Sequence, residues 1–180
     1  NVVLTEKGVI LGALKTTALE SENHRLLLAG VKYEYPAPQD KLSPFDGAGM
    51  RSRLQNYLST HADGWEKEDL SLFLFENVAG LAMPTAREIV RRAAERNQGA
   101  DILSESAAVP LWAFVGEFCQ NEPNRPCLKM QNGGYADFFA FPVAGGVETP
   151  SLCKAEDEFY TARESKKGFE DKKRKLETTV

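Results

Sequence analysis

Histidine and cysteine are scarce in this chain of 180 residues, with two of the first and three of the second, and no Asn-x-Ser/Thr sequon occurs. Those shortages narrow the chemistry. A structural zinc site needs four ligands, typically in paired spacings such as Cys-x-x-Cys; no such pair is present, so no metal is expected. Complete phosphate-cradling glycine patterns are also missing. Asp46-Gly47-Ala48-Gly49 leads into a helix but continues as neither a dinucleotide fingerprint nor a P-loop, and no cofactor is expected. No apolar run approaches the roughly 20 residues that cross a bilayer. The longest, 109–118, is broken by Pro110, Gly116 and Glu117, so no membrane span is expected. Positive charge is not in excess either. Lys and Arg number 22 against 26 Asp and Glu, a formal net charge of −4, which argues against nucleic acid as a partner by bulk attraction.

What remains is an ordinary folding composition, 42% hydrophobic and 27% charged. A chain of this length fits one domain. The pattern predicts an α+β fold: a globular domain over 1–153 and a charged tail, partly disordered or helical, over 154–180. At the N-terminus, 2–5 and 9–14 flank the turn Glu6-Lys7-Gly8, and 25–35 ends in Val31, Tyr33 and Tyr35 alternating with Lys32 and Glu34. Period two is the mark of a half-buried strand, so a three-stranded antiparallel meander is predicted. Three helices are expected, at 47–61, 85–98 and 108–119. Asp46 caps the first; Thr85 and Glu88 form a capping box for the second, whose apolar stripe is Ala86, Ile89, Val90, Ala93 and Ala94. The short apolar run 70–76 reads as a buried strand. A hairpin is predicted over 127–142, turned by Asn132-Gly133-Gly134, with Tyr135, Phe139, Phe141 and Val143 on one face.

The stretch 107–153 holds all three cysteines and the densest apolar run. Cys119 and Cys127 are spaced for a short disulfide loop, worth about 2–3 kcal/mol if unstrained. With an N-terminal residue that is not Met, that pairing leans the expectation toward a secreted or periplasmic protein. A competing reading makes Cys127 or Cys119 a nucleophile, with His61 as general base oriented by Asp63, in a cysteine-dependent hydrolase or transferase. Cys127 lies between Arg125 and Lys129, and nearby cations lower a thiol pKa. Against it, His61 suits a helix C-terminus, where the dipole favours it without any catalysis, and His24 falls in a turn.

Basic residues supply the other candidates. Arg87, Arg91, Arg92 and Arg96 line one face of the second helix, with glutamates interleaved at i,i+4. Lys172, Lys173, Arg174 and Lys175 form a cluster near the end, followed by Thr178-Thr179-Val180, a tail of the kind that PDZ domains capture. The function expected is a non-catalytic domain that recognises a protein partner, with these arginines, the basic cluster, Thr178 and Val180 as contact residues.

Overall fold

The computed structural model describes residues 2–17, 25–60, 67–121 and 124–177. Among them are five helices and two small sheets, an α+β architecture. Contacts divide the chain into two compact units, Asn1–Asp40 and Lys41–Val180.

In the first unit, β1 (Val3–Glu6) and β2 (Val9–Ala13) pair antiparallel around Lys7 and Gly8, both at positive φ. The expected third strand is reduced to a single bridge, Lys32 with Val9, flanked by Ile10 N–H to Val31 O and Tyr33 N–H to Gly8 O, both 2.8 Å. Gly30, at φ 85, turns the chain there. The Arg25 guanidinium then spends its donor on the Glu34 carbonyl at 2.5 Å. Val31 and Tyr33 are half-buried but Tyr35 is 84% exposed, so the predicted alternation stops after Tyr33, and the backbone bonds to the β1–β2 hairpin end there as well. Ile10, fully buried, anchors this unit.

The second unit runs α1 (Gly47–Thr60), α2 (Lys67–Asn77), α3 (Met83–Arg96), α4 (Leu111–Asn121), β3 (Cys127–Gln131), β4 (Gly134–Phe139), β5 (Gly146–Glu148) and α5 (Leu152–Glu177). Asp46 caps α1 as expected, its Oδ1 accepting from Gly49 N–H at 2.9 Å. A Cβ at position 49 would lie 2.4 Å from the Asp46 carboxylate, so a larger residue there would displace the capping side chain. Met50 and Leu54 of α1, Leu70, Phe73 and Leu74 of α2, Ile89 and Val90 of α3, and Leu111 and Val115 of α4 form the core. Each such side chain contributes about 1.5–3 kcal/mol by leaving water.

Segment 70–76 is helix, not strand. Leu70, Phe73, Leu74 and Val78 are buried while Leu72 and Phe75 are 40% and 37% exposed, a helical stripe and not an alternation. The charges before the run, taken as a strand boundary, are the first turn of α2: Glu68 and Asp69 sit where the helix dipole favours anions. Helix α3 also departs from its predicted start. Its N-cap is Ala82, extended and without a side-chain cap, and Pro84 lies in the first turn, so the Thr85–Glu88 capping box does not form. Proline's fixed φ and missing N–H suit that position, which draws the start upstream. At the other end Gln98, at φ 53, donates to Glu95 O, and Gly99 donates to Ala94 O at 2.9 Å, a Schellman closure.

The hairpin forms around Asn132 and Gly133, at φ 51 and 76, the two positive values of a type I′ turn. β5 adds to its other side, giving the order β4-β3-β5. Lys129 pairs with Asp137 but Met130 with Tyr135, so Ala136 is an extra residue in β4. This bulge reverses the alternation. Tyr135 and Phe138 both turn to α5, where Phe138 stacks on Phe159 (centroids 5.3 Å) and Tyr160 (6.0 Å). Phe139 and Phe141 turn the other way, Phe141 meeting Phe118 of α4 at 5.0 Å. The single aromatic face predicted for Tyr135, Phe139 and Phe141 is therefore two. The stretch expected as a tail is helical through Glu177, and its start is tied down by the buried Ala155.

Candidate functional site

Helix α3 buries Ala86, Ile89, Val90, Ala93 and Ala94, which leaves its arginines on the remaining arc. Every one of them meets a glutamate. Arg87 holds Glu68 of α2 through Nε (3.0 Å) and Nη2 (2.5 Å). Arg91 holds Glu88 at 2.6 Å and Glu95 at 2.5 Å. Arg92 Nε holds Glu88 at 2.8 Å, its Nη2 donates to the Pro142 carbonyl, and the guanidinium lies over the Phe118 and Phe141 rings (5.3 and 5.9 Å). Arg96 holds Glu117 of α4 at 2.5 Å.

Glu88 is the centre of this network. Its side chain is only 8% exposed. Burial alone would raise its pKa, but hydrogen bonds from Arg91 and Arg92 outweigh that and hold it below the ordinary carboxyl value. The same contacts push Arg91 above its usual range. Read in sequence as half of a capping box, Glu88 is a buried anchor between α3 and the loop at Pro142. The signal available was its two arginines, at i+3 and i+4. Asn97 was missed altogether. It is buried, and its amide donates to Ala93 O and Val109 O while its carbonyl accepts from Val109 N–H, tying the loop before α4 to the end of α3.

Between α3 and the hairpin lies a cleft of about 280 Å³, whose wall includes Arg87, Glu88, Arg91, Lys129, Asp137 and Phe139. Lys129 and Asp137 face one another across β3 and β4.

The cysteines are all free thiols, so the Cys119–Cys127 disulfide is not formed, and with it goes the support for secretion. Cys119 points out from α4, whereas Cys127 is 2% exposed on β3 and donates to the Phe141 carbonyl at 3.2 Å. Gly146 packs against it so closely that a Cβ would lie 2.7 Å from Cys127 Sγ. Burial pushes the Cys127 thiol up, only partly opposed by the Val143 backbone and Arg92. Desolvation raises the Cys119 thiol as well, although its side chain reaches solvent. A nucleophile needs the opposite shift. Arg125, expected to activate Cys127, is instead paired with Glu148 at 2.7 Å. His24, His61, Asp63, Thr178 and Val180 lie outside the described residues. Lys172, Lys173, Arg174 and Lys175 fall on the last turns of α5. Among the described residues, no cluster of three or more His, Cys, Asp or Glu could hold a metal ion, and no helix is long and apolar enough to cross a membrane.

The family model for NFACT N-terminal and middle domains matches residues 1–180. Among solved structures, the N-terminal part of the fibronectin/fibrinogen-binding protein from Streptococcus suis is 21% identical, with a TM-score of 0.53, over 88% of this chain and 51% of that one. The N-terminal domain of the fibronectin-binding protein PavA from Streptococcus pneumoniae is 23% identical over 89% of this chain and 51% of that one, with a TM-score of 0.36. The Streptococcus suis likeness is one of fold. This chain spans about half the length of both structures. Comparison with curated proteins returns no match.

Proposed function

The chain belongs to the family of NFACT N-terminal and middle domains, and from that premise we propose that it is a binding module that recognises a protein partner and does no chemistry of its own. The family match over residues 1–180 carries the reading. The surface of α3 supports it. Its arginines are matched by Glu68, Glu88, Glu95 and Glu117, a mosaic of both signs that suits a protein surface better than the one-signed patch that grips a polyanion. The upward shift of the Cys119 and Cys127 thiols weighs against a cysteine nucleophile.

Arg87, Arg91 and Arg96 are the contact residues that this reading favours on α3, since all three reach solvent, while Arg92 is turned inward on Phe118 and Phe141. The basic run Lys172 to Lys175 is a second contact region of the same proposal. The Streptococcus suis protein is described as binding fibronectin and fibrinogen, so those two are the partners to try first. With the chain immobilised, saturable binding of either at micromolar concentration is the expected result. Failure of both to bind, with an albumin control giving the same signal, would overturn the choice of partner.

A further inference from the structure

The tip of the β3–β4 hairpin is Asn132-Gly133, and Asn132 is the one asparagine of the chain that glycine follows. Asparagine is among the heat-labile residues, and what surrounds it decides how labile. Asn132, Gly133 and Gly134 are all exposed. The Asn132 carboxamide has no hydrogen-bond partner among the described residues, whereas those of Asn77 and Asn97 are held by backbone groups. The ladder closes at Gln131 and Gly134, which leaves the Gly133 N–H outside it, donating to no described carbonyl. Glycine brings no side chain to shield that nitrogen, and an added Cβ at Gly133 or Gly134 would meet nothing within 4 Å.

From this arrangement we propose that Asn132 is a site of self-modification, converted to aspartate and isoaspartate by the chain's own backbone and solvent water. The Gly133 nitrogen attacks Asn132 Cγ and gives up its proton. A new N–Cγ bond forms, the bond from Cγ to the amide nitrogen breaks, and ammonia departs with that proton. Water then opens the cyclic imide. Attack on the Cγ carbonyl breaks the new bond and leaves aspartate on an ordinary backbone. Attack on the main-chain carbonyl breaks the original peptide bond and leaves the chain running through Cβ and Cγ, which is isoaspartate. Neither route needs an oxidant or a reductant. The turn holds Asn132 in the left-handed region, at φ 51, so the tip swings out of it before the nitrogen reaches Cγ. Opening at such a tip disturbs few buried contacts, and it sets the pace.

The two products differ in what they do to the fold. Asp-Gly suits a type I′ turn as Asn-Gly does, so aspartate keeps the register and adds a negative charge. Isoaspartate inserts an extra backbone atom into a two-residue loop whose length sets the strand register. That register carries Phe138 to Phe159 and Tyr160 and buries Phe139. Isoaspartate therefore loosens the hairpin from α5.

Ageing the whole chain in mildly alkaline buffer, then mapping peptides so that the two products separate, tests the proposal. The peptide with unmodified Asn132 is expected to disappear first, replaced by both products, and the urea midpoint to fall as isoaspartate accumulates. Asn56 is the comparison, equally exposed but within α1 and followed by Tyr57. Asn132→Gln, whose longer side chain needs a larger ring, should keep its midpoint over the same interval. Asn132→Asp, measured fresh, should unfold with fresh wild type. An unmodified Asn132, or conversion as fast at Asn56, would overturn the site. An equal loss of midpoint in aged Asn132→Gln, or an isoaspartate-rich chain unfolding at the fresh midpoint, would overturn its link to the hairpin.

Discussion

Replacing Glu88 by glutamine probes the network that fixes α3 to the hairpin. The substitution keeps the shape and removes the charge, leaving Arg91 and Arg92 facing a neutral amide. Breaking a fully buried pair costs about 3–5 kcal/mol. Here the carboxylate is 8% exposed but its partners are 36% and 22% exposed, and Arg91 keeps Glu95, so solvent repays part of the loss and about 2 kcal/mol is expected. With a urea slope of about 2 kcal/mol/M, the unfolding midpoint followed by helical circular dichroism should fall by about 1 M at pH 7. The pH dependence carries the sharper test. The folded-state pKa of Glu88 lies below the ordinary 4.5, so its stabilisation is fully present above that value and disappears as pH falls through the folded pKa. The gap between wild type and Glu88→Gln should stay constant from neutral pH down to about 5 and close below it. An unchanged midpoint at pH 7, or a gap that persists undiminished in acid, would refute the assignment of Glu88 as a buried charged anchor.

Asn97→Ala should cost about 1–3 kcal/mol, because Val109 N–H loses its acceptor in a buried setting; a urea midpoint within error of wild type would contradict this. Gly146→Ala should destabilise by a similar amount, about 1–3 kcal/mol, through overpacking against Cys127 Sγ and Val143 O. Cys127→Ala in the same chain should recover part of that loss, a coupling that a double-mutant cycle measures. Alkylation followed by intact mass should find three thiols in the unreduced, denatured protein, with Cys127 the slowest in the native state. A count of one would restore the disulfide.

Much of the architecture was legible because it is decided within a few residues. The Asp46 cap, the Asn132-Gly133 turn and the apolar stripe of α3 each depend on groups no more than a turn or two apart, and all three stand in the structure. The candidate site was less legible. Its arginines and their i,i+4 glutamates could be read, but not that Glu68 and Glu117, on other helices, complete the pairing.

Tertiary structure decided the rest. The run 70–76 suits a strand or a helix by composition, and only burial of Leu70, Phe73 and Leu74 in a core shared with α3 selects the helix. The bulge at Ala136 flips Tyr135 to α5, and nothing in the hairpin sequence specifies it, since a one-residue slip is settled by which side chains the two faces must bury. Cysteine spacing permitted a disulfide, but the fold directs Cys127 inward to Phe141 and Cys119 outward from α4. Sequence determines what short-range geometry can satisfy; choices among locally equal conformations wait for the long-range burial that only the assembled core provides.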